Sequence, residues 1–103
     1  MGKTPQIIAS AYVGSGEKYG KQELQLMETN LLKTYPKLIR ANLRYSGTEP
    51  LLRTMLESDN SYTEDDLARI AVEISRKAQE LAKQPNGKID ILNCTRGGSI
   101  KVQ

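Results

Sequence analysis

The chain has 103 residues, 38% of them hydrophobic, and a formal net charge of +3, which sets the scale at one compact domain. It contains no His and a single Cys, Cys94. This removes an intramolecular disulfide, a Cys-His nucleophile pair, the commonest general base at neutral pH and a Cys-based zinc site, and it suits a reducing, cytoplasmic setting. No apolar run approaches the length of a membrane span, and the opening MGKTPQ carries neither the charged nor the apolar region of a signal peptide.

In chain order, QIIASAYV (6–13) places Ile7, Ala9, Ala11 and Val13 on one face at period 2, which predicts a strand. GSGEKYG (14–20) breaks it. From Lys21 to Tyr35 the spacing becomes helical, with Leu24, Met27 and Leu31 forming a stripe that Leu32 widens, and Pro36 ends it. LIRANLR (38–44) predicts a second strand, with Leu38, Arg40, Asn42 and Arg44 on one face and Ile39, Ala41 and Leu43 on the other. SGTEP (46–50) is a turn, and LLRTMLE (51–57) a third strand antiparallel to the second. Thr63 then opens a helix with a capping-box pattern that ends in Asp66, and Leu67, Ile70, Ala71, Ile74, Ala78 and Leu81 keep the apolar stripe to about Lys83. Residues 89–93 predict a short strand, Arg96-Gly97-Gly98 a turn, and 99–102 a last strand or a frayed end. The order is β-α-β-β-α with a C-terminal hairpin. The economical fold is α+β, one antiparallel sheet with two helices on one face, in a single domain over 1–103.

The turn after the second strand carries more chemistry than a turn requires. Gly47 lets a ligand approach without a Cβ in the way. Ser46 and Thr48 offer hydroxyls, and the backbone N–H groups can converge on an anion. Arg44 and Arg53 flank the turn with guanidinium forks suited to a phosphate. Glu49 is an acceptor only, fitted to bracing the loop or orienting an arginine, and Pro50 stiffens its exit. An ordinary β-turn with incidental arginines accounts for the same residues equally well on these grounds.

Arg44-Tyr45-Ser46-Gly47-Thr48-Glu49-Pro50, followed by Leu51-Leu52-Arg53-Thr54-Met55-Leu56-Glu57, resembles the phosphate-binding loop of the α-D-phosphohexomutases. In that family the loop reads Arg-x-Ser-Gly-Thr-Glu-Pro, lies in the fourth, C-terminal domain, and leads into an apolar strand that contains Arg and ends in Glu. The strand is most similar to that of the phosphoglucosamine mutase branch. The resemblance spans roughly residues 5–83 and leaves 86–103 as an extension without a family role: a natural addition, part of a decorated domain, or an extra hairpin on the sheet. It implies a small α+β domain of the TATA-binding-protein-like class. It also implies that the domain holds the non-reacting phosphate of a hexose phosphate, such as glucosamine 6-phosphate or 1-phosphate, while a phosphoserine in another domain exchanges the other one. Arg44, Ser46, Gly47, Thr48 and Arg53 carry over as phosphate ligands, with Glu49 and Pro50 as loop support.

The partners implied are the phosphosugar and the other three domains of a parent enzyme. Mg2+ is expected there through another domain, with no cofactor in this one, and the chain by itself is not expected to catalyse. Tyr45 departs from the Pro common at its position, which changes the stiffness of the loop and could place an aromatic ring beside the sugar.

Other stretches weigh less. Gly14-x-Gly16-x-x-x-Gly20 has the wrong spacing for a dinucleotide fingerprint and reads as a flexible connection. Asp65-Asp66 suits a helix N-terminus better than a metal. A stand-alone domain that binds a phosphorylated partner or nucleic acid is the alternative reading. Against nucleic acid, the basic residues are interleaved with acidic ones and the five tyrosines form no evident stacking platform. Cys94 reads as a small buried or half-buried hydrophobe, and Arg96-Gly97-Gly98 as a plain turn sooner than an anion nest.

Overall fold

A computed structural model describes residues 4–93 and, for the backbone alone, 99–100. The readings made for Cys94, for Arg96-Gly97-Gly98 and for the last strand beyond Ile100 lie outside the described residues. The elements run β1 (Gln6–Tyr12), α1 (Lys21–Thr34), β2 (Leu38–Tyr45), β3 (Leu51–Ser58), α2 (Glu64–Leu81), β4 (Ile89–Asn93) and β5 (Ser99–Ile100). The strands form one sheet in the order β2-β3-β1-β4-β5, every neighbouring pair antiparallel. This is the α+β arrangement expected. β1 is inserted between β3 and β4, so each helix connects two parallel strands that have a third between them, two interleaved split β-α-β units.

Both helices cover the same face. The inward residues of β1, namely Ile7, Ala9 and Ala11, are fully buried, as is Val13 just beyond the strand. They meet Leu52 and Leu56 of β3 and the α2 stripe Leu67, Ile70, Ala71, Ile74 and Ala78 in one core. The α2 start is a true capping box: the Asp66 N–H donates to Thr63 Oγ1 and the Thr63 N–H to Asp66 Oδ2. Its end is a Schellman motif in which Gln84 N–H reaches the Gln79 carbonyl and Lys83 N–H that of Glu80. Lys83 takes the left-handed conformation, φ 60°, that glycine usually fills there.

α1 is less deeply seated. Leu24 is buried, Met27 and Leu31 are half-buried, and Leu32, expected to widen the stripe, is exposed. α1 instead serves the open edge of the sheet, where Glu28 Oε2 accepts the outward N–H of Leu43 at 2.7 Å and so blunts an edge that would otherwise template pairing with another chain.

β2 corrects the expected alternation. A bulge between Leu38 and Arg40 shifts the register, so Leu38 is buried and Ile39 is 54% exposed, the reverse of the strict period-2 reading. From Arg40 onward the predicted faces hold.

Of the roles left open for residues 86–103, the hairpin on the sheet is what the described residues form. β4 pairs with β1 over Ile7–Ala11 and buries Ile89 and Ile91 in the core. A polar clamp fixes its start. Gln79 on α2 is fully buried; its Nε2 donates to the carbonyls of Tyr12 (3.1 Å) and Lys88 (3.2 Å), and its Oε1 accepts from Arg76 Nη1 (3.1 Å). Arg76 also donates to the Gly87 carbonyl, and Gly87 packs so closely that a Cβ there would lie 2.6 Å from Gln79 Nε2.

Candidate functional site

The β2–β3 turn is built around one hydroxyl. Ser46 Oγ accepts the backbone N–H groups of Thr48 (3.3 Å) and Glu49 (3.2 Å) and lies 3.5 Å from Thr48 Oγ1. Ser46 N–H closes the turn on the Leu51 carbonyl, and Leu51 N–H returns to the Glu49 carbonyl. Two backbone donors and a second hydroxyl therefore converge on a single oxygen at an exposed position. A Cβ built on Gly47 meets nothing within 4 Å, and its φ is not left-handed. The glycine is not needed for the bend; it leaves the approach to the turn open.

Register explains the neighbourhood of this turn. Tyr12 pairs with Leu51, and Val13 N–H donates to the Pro50 carbonyl at 2.8 Å, so the segment after β1 runs beside the turn before β3. Together they line a surface cleft of about 480 Å³: Ser46 to Pro50 on one side, Tyr12, Gly14, Ser15 and Lys18 on the other.

Segment 14–20, expected as a flexible connection, is tied down at several points. Gly16 is pressed on the end of α2, where a Cβ would fall 2.1 Å from the Ala82 carbonyl oxygen, and Gly14 has φ +57°. Tyr19 N–H donates to the Tyr45 hydroxyl at 2.9 Å, and Lys18 Nζ lies 5.5 Å from the Tyr45 ring centroid.

That last arrangement fixes the orientation of Tyr45. Its ring is turned to the helix side of the sheet, packed against the core and committed to segment 14–20. Burial first, with the nearby Tyr19 and Glu23 charges adding to it, holds its phenol above the ordinary value, while the bond received from Tyr19 N–H acts the other way.

The two arginines stand apart from the cleft. Arg44 and Arg53 are direct cross-strand partners. They line a pocket of about 220 Å³ on the helix-free face with Ile8, Asn42 and Met55. Like charges placed opposite each other cost stability unless an anion comes between them. The described ion pairs, Arg40–Glu57 and Lys88–Asp90, involve neither. The Glu49 N–H donates to Ser46 Oγ and its carbonyl accepts from Leu51 N–H.

Among the described residues, no group of three or more His, Cys, Asp or Glu is placed to hold an ion, and Asp66 is already engaged in its cap. Nor is any described helix long and apolar enough to cross a membrane.

Lys18, Gly14, Ser15 and the true orientation of Tyr45 escape sequence reasoning because they depend on β1 lying beside β3. The Gly-rich break directly after a strand is the one local sign of a close approach.

Residues 24–77, running from α1 through the Ser46 turn into α2 and amounting to more than half of the chain, match the family model for the phosphoglucomutase/phosphomannomutase C-terminal domain. No curated protein and no solved structure matches the chain. The extent of the family match, over the elements that build and present the Ser46 turn, places this chain in the phosphoglucomutase/phosphomannomutase C-terminal domain family.

Proposed function

We propose that the turn Ser46–Pro50 holds the phosphate of a hexose phosphate that is not undergoing transfer in a phosphohexomutase. The observation that carries this reading is the convergence of the Thr48 and Glu49 N–H groups on Ser46 Oγ. A phosphate oxygen is a stronger acceptor than a hydroxyl, so it takes over those two donors. The displaced Ser46 and Thr48 hydroxyls then donate to the phosphate as well. Arg44 and Arg53 supply guanidinium charge from the adjoining face.

Such a site reads a phosphate and largely ignores the sugar, which suits an intermediate that must present either end. Energy from this remote group positions the reacting oxygen elsewhere. The phosphoserine and the Mg2+ belong, on the family pattern, to other domains, and this chain contributes binding alone. The LLRTMLE strand favours a glucosamine phosphate as the sugar, and the single cysteine a cytoplasmic setting.

The test is an NMR titration of the chain with inorganic phosphate and with glucosamine 6-phosphate. Amide shifts at Ser46, Gly47, Thr48 and Glu49 are expected, weakened by Ser46→Ala and by Arg44→Ala with the fold intact. Shifts confined to other parts of the chain, or none at high ligand concentration, refute the reading.

A further inference from the structure

Two charged side chains line the Ser46 cleft, Lys18 and Glu49. Glu49 repels an anion there. Lys18 is the side chain in the lining able to offset it, and neither described ion pair engages it. Its ammonium rests instead against the Tyr45 ring, 5.5 Å from the centroid. At an exposed position that is a weak hold compared with a charge-assisted bond to phosphate oxygen.

The backbone on both sides of Lys18 is fixed. Gly16 is seated on Ala82, and Tyr19 N–H is bonded to the Tyr45 hydroxyl, while Val13 N–H ties the start of the segment to Pro50. The ammonium therefore starts from a set position beside the cleft, and its four-carbon stem can carry it in without a backbone change. A compact cation with rotatable donors makes few directional demands. It can follow a phosphate whichever end of the sugar the phosphate is attached to.

We propose that Lys18 is a direct phosphate ligand, delivered from segment 14–20 across the cleft to the group held by Ser46–Pro50, with the Tyr45 ring as its resting place. This rests on the reading of the Ser46 turn as a phosphate site. It adds a residue from the first loop of the domain to those of the turn.

Titrating the full chain with inorganic phosphate, read at the Thr48 and Glu49 amides and the Tyr45 ring protons, separates the two claims. Lys18→Gln is expected to weaken binding about three- to tenfold, the range for one exposed charge-assisted contact. It should also flatten the dependence on ionic strength, because one screened attraction is gone. Lys18→Arg should retain most of the affinity. Lys77→Gln, in the groove between the helices, loses the same charge and should bind as wild type. Phosphate should move the Tyr45 ring signals in the wild type and not in Lys18→Gln. If Lys18→Gln binds as tightly as Lys77→Gln while Ser46→Ala binds weakly, the Lys18 proposal falls and the turn remains a phosphate site. If the wild-type amides of the turn do not respond, both fall.

Discussion

Gln79→Leu tests how the last described strands are held to the rest of the domain. The substitution keeps the volume of a fully buried side chain and removes three hydrogen bonds. The losses are unequal. The Lys88 carbonyl keeps the bond from Tyr12 N–H at 2.8 Å, and Arg76 keeps the Gly87 carbonyl at 3.3 Å. The Tyr12 carbonyl keeps no described partner and bears the full desolvation cost. A net hydrogen bond contributes about 1 kcal/mol and a newly unpaired buried group costs about 1–3 kcal/mol, so the expected destabilisation is about 2–4 kcal/mol. The extra apolar contact of leucine offsets part of it and sets the lower end. That is a large share of the roughly 5–15 kcal/mol typical of a domain. Urea unfolding followed by far-UV circular dichroism measures it as a fall in midpoint at unchanged slope. A midpoint within error of wild type would mean that Gln79 is no clamp and that β4 is held by its apolar residues alone.

Two further outcomes follow from groups already described. Thr54 is fully buried on β3 with its hydroxyl unpartnered, so Thr54→Val, which keeps the shape and removes the hydroxyl, should stabilise the fold by about 1 kcal/mol; a loss of stability in urea would point to an undetected partner. Tyr45 has a folded pKa above its ordinary value of 10.0. Its contribution is therefore complete below pH 10 and is lost as the pH rises through the folded value. Absorbance titration of tyrosinate should show a late-ionising phenol that Tyr45→Phe removes, and its absence would contradict the half-buried placement.

The legible parts of the fold are those in which one local rule decides. The period-2 run Ile7-Ala9-Ala11-Val13 can face only one way, and Thr63-Glu64-Asp65-Asp66 caps a helix wherever it occurs. Leu38-Ile39 is ambiguous because both residues are apolar and either can point inward; the bulge selects Leu38. Ser75 and Gln79 carry polar side chains, yet α2 buries both, and the carbonyls that Gln79 meets from distant β1 and the start of β4 explain its place. The same division runs through the site. The Ser46 turn is contiguous and readable. Lys18 reaches it through a strand pairing that no local pattern encodes, and the orientation of Tyr45 depends on Tyr19, which lies on the loop before α1.

The central position of β1 also bears on how the chain acquires its structure. This strand precedes the rest of the sheet in the chain, yet its partners on either side, Leu51–Glu57 and Ile89–Asn93, lie about 40 and 80 residues further on. The β2–β3 hairpin, with α1 against it, can form from neighbours in sequence, whereas β1 must wait, its apolar face uncovered, until two distant segments arrive. Closing those long loops precedes the contacts that reward it, which slows folding relative to a chain of local pairings. During synthesis the strand of this sheet that emerges before the others is therefore among the last to be enclosed, and it is the stretch of the domain most in need of protection from other chains in the interval.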